Sequence, residues 1–220
     1  MGALSGKVAK VKITAITPTS STGETFTKLS TGKYQITDYT KRHWDRQTTG
    51  APTVYVNTTA RTADEYTVDP VNGIIQFSPT SLTTGAVPVT ADIHYVTASY
   101  LTQARSWSAE LDTPMHDVTA FNTSTGSKTW RSYTPGLMGG TVTLGRLVST
   151  GSTANGYPVE FYDRLNLNQD LVVELHMQDF EHLAGYGWIE QDTFNVPIDE
   201  QETEDITIRL DGPLYYSTSS

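Results

Sequence analysis

The sequence predicts a mainly β protein: an antiparallel β-sandwich or barrel-like fold with one flanking α-helix and long loops. The first observation is the composition, because Thr, Ser, Gly, Tyr and Val dominate while long runs of Ala, Leu, Glu and Lys are few. The second is that many short segments alternate apolar and polar residues with the period of two that a half-buried strand requires. With 220 residues, 37% of them hydrophobic, the chain can bury a core as one β domain or as two small ones.

The first hundred residues contain the first group of strand candidates. Residues 7–16 alternate as a strand does, and residues 17–32, rich in Ser, Thr and Gly, are predicted to form a long loop or hairpin excursion. Asn72-Gly73 lies between two apolar alternations and predicts a β-hairpin, because both residues tolerate the positive φ of a tight turn. Further strands are predicted at residues 33–37, 53–57 and 87–101.

The stretch from Arg105 to Val148 contains the clearest series of predicted strands. Apolar and polar residues alternate between Ser106 and Asp112, which predicts a half-buried strand that includes Trp107. Trp130 lies in a second run, dense in aromatic and β-branched residues. Both Trp side chains are expected to be largely buried, either between sheets or between subunits.

A turn and a glycine-rich strand complete this stretch. Pro135-Gly136 fits the central positions of a type II turn, because Gly tolerates positive φ, and the chain is expected to turn back there. The next strand contains Val142 and Leu144. Three glycines weaken it and predict a bulge or a close backbone approach: Gly139, Gly140 and Gly145.

One helix is predicted within Tyr157–Leu167. Phe161 and Leu165 are four residues apart and share a helical face, and Pro158 suits the first turn, where its missing N–H does no harm. A strand is predicted to follow over residues 171–177. Two short strands are predicted after it, at residues 194–198 and 206–210.

The stretch from Arg105 to Val148 resembles the core signature of the major tail tube proteins of long-tailed bacteriophages. In that family a strand with a Trp leads to an Asp-Val-Thr-x-Phe element, which matches Asp117-Val118-Thr119-Ala120-Phe121. An aromatic-rich strand then leads to a Pro-Gly-Leu turn and a glycine-rich strand, which match Pro135-Gly136-Leu137 and the residues after it. The resemblance covers roughly residues 95–215. The related inner-tube proteins of contractile tails and injection systems share the fold and remain an alternative.

The resemblance implies a structural virion protein and no enzyme. Members of this family self-assemble into rings, usually hexamers, which stack into a hollow tube that conducts DNA from the capsid to the host. The implied partners are further copies of the chain, other tail proteins, and DNA that passes without specific binding. No cofactor is implied. The protein would be made in the host cytoplasm and would reside in the virion tail.

The domain organisation has two interpretations. A boundary near residue 100 would separate a β-rich N-terminal arm and elaboration, residues 1–100, from a tail-tube-like β core, residues 101–220. A single intertwined domain is equally consistent with the pattern.

Charge is unevenly distributed along the chain. Residues 1–110 carry 10 Lys and Arg against 8 Asp and Glu, a net charge of +2, whereas residues 111–220 carry 5 against 16, a net charge of −11. The acidity disfavours a dedicated DNA-binding protein and predicts a negative lumen wall, along which DNA slides without sticking. Stacking of rings is predicted partly through two charged groups, unless both are simply solvated: Lys41, Arg42, Arg46 and Arg61 against Glu200, Glu202, Glu204 and Asp205.

Residues that an enzyme would need do not occur in recognisable patterns. The chain has no Cys, and its five His residues form no metal-binding pair at helical spacing. His116-Asp117 with Ser108 lacks the nucleophile elbow of a hydrolase, and the acidic run of residues 199–205 lacks the glycine of a calcium-binding loop. We therefore predict no catalytic, cofactor or metal site.

The second function class considered is a monomeric β-sandwich binding module, for example for carbohydrate. In that case aromatic side chains would be exposed as stacking platforms: Trp44, Tyr186, Trp188 and Tyr215. No segment approaches 18 consecutive apolar residues and the N-terminal segment lacks the apolar region of a signal peptide, so a soluble protein without membrane contact is expected.

Overall fold

The computed structural model describes residues 10–15, 17–47, 51–83, 87–101, 104–117, 133–147, 159–178, 181–195, 197 and 202–218. The fold is mainly β, with 65% strand and 6% helix, and its strand pairs are antiparallel, which confirms the predicted fold class. No helix in these ranges is long and apolar enough to cross a membrane.

The described residues form seventeen strands and one α-helix. In chain order they are β1 (Lys10–Thr14), β2 (Thr19–Ser30), β3 (Lys33–Ile36), β4 (Thr53–Val56), β5 (Thr59–Ala60), β6 (Tyr66–Asp69), β7 (Ile74–Phe77), β8 (Val89–Tyr95), β9 (Ala98–Tyr100), β10 (Ala104–Asp112), β11 (Met115–Asp117), β12 (Tyr133–Pro135), β13 (Gly139–Leu147), α1 (Val159–Leu167), β14 (Asp170–Gln178), β15 (Glu181–Asn195), β16 (Thr203–Leu210) and β17 (Tyr215–Thr218).

The larger sheet curls into a half-barrel. Its strand order is β10-β13-β16-β15-β14-β1-β9, and β17 pairs with β15. Alternation along β13 and β16 places Val142, Leu144, Ile206 and Ile208 in one hydrophobic core, and Phe161 of α1 is fully buried in the same cluster. The helix thus contributes Phe161 to the core, whereas Leu165, predicted on the same apolar face, is 40% exposed.

The smaller sheet has the strand order β5-β4-β8-β2-β3-β7-β6. Its core is aromatic, and edge-to-face contacts join Tyr34 to Phe77 and Phe26 to Trp44, each pair with ring centroids 5.9 Å apart. Such pairs add about 0.5–1.5 kcal/mol beyond the area that they bury.

The two sheets meet along β14. Leu171, Val173 and Leu175 face the half-barrel core, while Val172, Glu174 and His176 on the opposite face are also buried. That opposite face is covered by residues 39–45 and by Val71, which come from the smaller-sheet half of the chain. A strand buried on both faces must find partners for every polar side chain that it carries.

Several predicted elements are confirmed. The helix forms at Val159–Leu167, and the Asn72-Gly73 hairpin joins β6 to β7 with Gly73 at a φ of 61°. The glycine-rich strand forms as β13. A register shift between Ala104 and Ser106 of the facing strand β10 lies opposite Gly145, at the predicted irregularity.

Some predictions of local structure differ from the structure. Of the two alternatives for residues 17–32, the long loop is wrong and a hairpin forms, because Thr19–Ser30 is a twelve-residue strand that pairs with β3 and β8. Pro135-Gly136 is not a type II turn, since Gly136 does not have the positive φ that this turn requires. No strand was predicted for residues 181–193, which form most of β15, a fifteen-residue strand in which Gly185 and Gly187 hide the alternation.

The boundary near residue 100 stays a prediction. Strand β1 lies in the larger sheet beside β14, although it precedes the seven strands of the smaller sheet in the chain. The larger sheet therefore takes residues from both sides of position 100. Val118–Phe121 and Trp130 lie outside the described residues.

Candidate functional site

An exposed apolar β-ribbon projects from the half-barrel. It consists of the distal end of β10, strands β11 and β12, and the residues that lead into β13, and we call it the apolar ribbon. Its apolar side chains are largely exposed: Leu111 by 55%, Met115 by 63%, Leu137 by 91% and Met138 by 75%. An exposed group of this kind is typical of an interaction surface rather than of a monomer's free surface.

Backbone geometry makes the apolar ribbon a continuation of the β10–β13 ladder. Asp112 pairs with Gly139, and Met115 pairs with Pro135 farther out. The Gly136 N–H donates to the Pro114 carbonyl at 2.7 Å, and a Cβ on Gly136 would lie 3.1 Å from that same backbone carbonyl oxygen. The glycine is therefore needed for close approach of the two chain segments.

The free edge of β10 adds a second property to this surface. Strand β10 ends the larger sheet and pairs only with β13 among the described strands. Edge strands present unpaired N–H and C=O groups to which another chain can add. A two-stranded ribbon is also only marginally stable in water, so β11 and β12 would gain from cover by another surface.

A second feature is a buried polar cluster centred on Glu174 of β14, which we call the Glu174 cluster. Its Oε1 lies 2.5 Å from Nη2 of Arg42 and 2.6 Å from Nε2 of His43, and its Oε2 lies 3.0 Å from Nε2 of His176 and 3.3 Å from Nζ of Lys12. Burial alone would raise the pKa of Glu174. The hydrogen bond from His43 and the charges of Arg42 and Lys12 outweigh burial and hold the pKa well below its usual range.

Hydrogen bonding assigns the protons in this cluster. Nδ1 of His43 lies 2.7 Å from the Val71 carbonyl and its Nε2 faces Glu174, so both ring nitrogens must donate. His182 differs, because its Nε2 lies 3.4 Å from the guanidinium of Arg42, a group that can only donate. Nδ1 of His182 then carries the proton, and it has no hydrogen-bond partner among the described residues. Burial lowers the pKa of His182 to about 4, which keeps the ring neutral at pH 7.

A cavity of about 330 Å³ opens beside the Glu174 cluster. Lys12, Arg42 and His182 line it, together with the hydroxyl residues Thr40 and Thr97. The ring of Tyr39 lies 3.8 Å from the guanidinium carbon of Arg42 at the same cavity. The cavity lies where residues 39–43 of the smaller-sheet half cross β14 of the half-barrel.

The other residues of the predicted basic group have partners within the chain. Nη2 of Arg46 lies 2.9 Å from Asp170 and 2.8 Å from Asp211, and its guanidinium stacks on Tyr186 at 4.0 Å. Lys41 pairs with Glu24, and Arg61 lies 3.7 Å from Glu65. The four residues of the predicted basic group therefore contact different partners within the chain, and one of them, Arg42, is buried.

The predicted acidic group is also divided. Glu204 is fully buried and accepts from Nε of Arg146, whereas Asp205 is exposed and Glu202 half-buried. Glu200 lies outside the described residues. Whether any of these residues contacts a neighbouring subunit stays a prediction.

Asp192 and Glu204 form a close carboxyl pair near the end of the larger sheet. Neither oxygen of Asp192 and only one oxygen of Glu204 has a hydrogen-bond donor among the described residues. Burial, and next the charge of Glu204, raise the pKa of Asp192 to about 7. A proton held between the two carboxyl groups accounts for the missing donors.

Of the two predicted core Trp residues, Trp107 can be placed. It is half-buried and packs against the half-barrel core. Its Nε1 is buried with no hydrogen-bond partner among the described residues. Trp130 lies outside the described residues.

The aromatic platform of the binding-module alternative does not form. Trp44 is 2% exposed and Tyr186 is 3% exposed, so neither can stack on a ligand at the surface. Trp188 and Tyr215 are half-buried. No three His, Asp or Glu side chains in the described part of the chain are placed to hold a metal ion.

Sequence reasoning missed the Glu174 cluster. Glu174 and His176 alternate with Leu171, Val173 and Leu175, which is the pattern of a strand with one solvated face. The available signal was Val172, an apolar residue on the supposedly polar face.

No family model matches the chain, and no curated protein matches it. Two solved structures are similar to part of the chain. One is from the tail of an empty gene transfer agent (GTA) particle with C6 symmetry, with a TM-score of 0.45 and 10% identity over 56% of this chain and 87% of that chain. The other is from the virion of a native GTA particle, with a TM-score of 0.45 and 11% identity over 55% of this chain and 89% of that chain.

Proposed function

We propose that this chain is a structural subunit of a phage-like virion tail. In this proposal it assembles with further copies into rings, hexameric as in the family that the sequence resembles, and the rings stack into a hollow tube through which DNA passes to the host. The role is structural rather than catalytic, and other tail proteins are its further partners. The resemblance between Arg105 and Val148 motivates the proposal.

The single observation that carries the proposal is the apolar ribbon. It lies within the stretch that bears the resemblance, and it combines exposed apolar side chains with a strand edge that pairs with no other strand of the described residues. In a protein that stayed monomeric, such an edge would be an aggregation hazard. We propose that a second copy of the chain covers the apolar ribbon, because repeated edge-to-surface contacts between identical subunits close rings or extend filaments.

Electron microscopy of the purified protein and sedimentation velocity test this assignment together. The wild-type protein is expected to form rings or tubes that grow with concentration. Leu137→Asp places a charge in the apolar ribbon and should shift the protein to monomers. The matched control is Leu29→Asp, because Leu29 is an apolar side chain of the smaller sheet that is 49% exposed.

Two results would contradict the proposal. One is a homogeneous wild-type monomer at all concentrations and salt conditions. The other is equal assembly of Leu137→Asp and Leu29→Asp, which would show that the apolar ribbon is not an assembly surface. Circular dichroism of both variants checks that the protomer stays folded.

We also propose that charge contributes to stacking, through the remaining accessible members of the two charged groups. Arg61 and Asp205 suit a test, because neither is buried. Arg61→Glu and Asp205→Arg should each slow tube growth, and the double variant should restore it if the two side chains meet across an interface. Exposed ion pairs contribute at most about 1 kcal/mol each, so sixfold repetition is needed for a clear effect. Unchanged growth in both single variants would remove the electrostatic part and leave the tube proposal intact.

A further inference from the structure

The cavity beside the Glu174 cluster has the chemistry of an anion site. Glu174 is the one acidic residue among those that line it, and both of its oxygens are already occupied by four donor groups. Lys12 and Arg42 bring two positive charges to the same wall, and His43 donates from both ring nitrogens. The positive charge around the cavity therefore exceeds the single negative charge of Glu174.

One residue of the same wall carries a donor without a partner among the described residues. His182 is 2% exposed, lines the cavity, and carries on Nδ1 a proton for which the described residues offer no acceptor. Its ring stacks on His176 at 5.0 Å with an interplanar angle of 23°, so the ring orientation is fixed by packing. A buried donor without an acceptor is costly, and a bound oxygen ligand would satisfy it.

We propose that this cavity binds an oxyanion, either a carboxylate or a phosphate group, through Lys12, Arg42 and the Nδ1–H of His182. Thr97 lines the same cavity and offers a further hydroxyl group, whereas the hydroxyl of Thr40 already donates to Asp38. Lys12 is 24% exposed and sits at the accessible side. The ligand has two sources that share this chemistry: a free anion, or the carboxylate side chain of a second copy of the chain.

The site joins the two sheets. Arg42 and Thr40 come from the segment after β3, whereas Lys12 and His182 belong to β1 and β15 of the larger sheet. A bound oxyanion would connect the two groups of residues by charge-assisted hydrogen bonds, which are roughly twice as strong as neutral ones. Binding should therefore also raise the melting temperature of the chain.

Inorganic phosphate is the first probe, added to dilute protein at constant ionic strength with sodium chloride as the balance. Histidine ring resonances in NMR spectra report binding. A saturable shift of the His182 resonances is expected, together with a rise of the pKa of His182, because a neighbouring anion favours the imidazolium.

Three variants make the test specific. Lys12→Met keeps the aliphatic stem and should weaken phosphate binding about tenfold, which is the usual effect of losing one charge-assisted hydrogen bond. Lys12→Arg should retain binding. Lys28→Met is the matched control on the smaller sheet and should bind as the wild type does. Thermal denaturation of each variant shows that it is folded.

A series of protein concentrations without phosphate identifies the source of the ligand. A His182 shift that grows with protein concentration, is reversed by phosphate and is lost in Lys12→Met indicates a carboxylate from a second copy. Saturable phosphate binding without such a shift indicates a free anion. The site is overturned if dilute protein shows no saturable shift and concentration has no effect, or if Lys12→Met and Lys28→Met respond equally. The dilute titration does not depend on tube formation, so it stands even if the proposed function fails.

Discussion

Arg42 and Glu174, 132 residues apart in the sequence, form a buried ion pair that joins the two halves of this protein. Nη2 of Arg42 lies 2.5 Å from Oε1 of Glu174, and the side chains are 8% and 1% exposed. Arg42 belongs to the segment after β3, and Glu174 lies on β14, between β15 and β1 of the half-barrel. The pair fixes how the segment of residues 39–45 crosses the larger sheet.

Removing Arg42 should destabilise the protomer strongly. Arg42→Ala leaves Glu174 with an uncompensated share of its buried charge, a situation that typically costs about 3–5 kcal/mol. Denaturation by urea measures the loss. Arg209→Ala is the matched control, because its pair with Glu190 is exposed on both sides and should matter by less than about 1 kcal/mol. Similar free energies of unfolding for the two variants would mean that the Glu174 cluster does not hold the sheets together.

Trp107→Ala should cost about 3 kcal/mol, the lower end of the range for a large aromatic side chain, because Trp107 is only half-buried. Trp107→Phe should cost much less, since it keeps most of the packing and removes the indole N–H that has no partner among the described residues. Thermal and urea unfolding of both variants measure these differences. A wild-type melting temperature for Trp107→Ala would contradict the packing of this strand on the core.

Asp192 should make the protein less stable as the pH rises from about 4 to about 7. The unfolded carboxyl loses its proton near pH 4, whereas the folded pKa of about 7 means that the folded state keeps it longer. The stabilisation is therefore fully present below pH 4 and is lost as the pH rises through 7. His182, whose pKa is lowered to about 4, acts in the opposite direction as the pH falls from 6.5 to 4.

Asp192→Asn separates these opposing effects. In this variant the free energy of unfolding should no longer fall through Asp192 as the pH rises from about 4 to about 7. At pH 8 the variant should be more stable than the wild type by about 1–2 kcal/mol, after allowance for partial exposure. Urea unfolding between pH 4 and pH 8 measures it, with Asp205→Asn, an exposed neighbour on β16, as control. Identical pH profiles for the wild type and Asp192→Asn would show that the carboxyl pair shares no proton.

Gly73→Ala should be more harmful than Gly23→Ala, although both glycines have positive φ, 61° and 68°. An added Cβ at Gly73 would lie 2.7 Å from Cγ2 of Ile36 and 3.0 Å from Cα of Arg42, whereas at Gly23 nothing lies within 4 Å. Gly23→Ala then measures backbone strain alone, about 1–2 kcal/mol. Gly73→Ala should cost about 1–3 kcal/mol more, from crowding. Equal melting temperatures would exclude the close approach of the hairpin to residue 42.

The sequence by itself determined which segments are extended and which face each presents. The alternation of β8, β13 and β16, the hairpin at Asn72-Gly73 and the helix of residues 159–167 follow from local rules, because side-chain period and turn chemistry act over a few residues. Local rules failed where glycine or hydroxyl residues hide the period. For this reason residues 17–32 were predicted as a long loop or a hairpin excursion, and no strand was predicted over most of Glu181–Asn195.

Only the tertiary structure decided the partners of the charged residues. Arg42 and His43 appear in the sequence as part of an exposed basic run, and Glu174 as part of a solvated strand face. Folding covers that face with the 39–45 segment, and a buried carboxylate must then be paired by whichever donors the opposing chain supplies. Pairings over such sequence separations depend on which sheet faces pack together, and a residue pattern with a period of two or 3.6 contains no information about that packing.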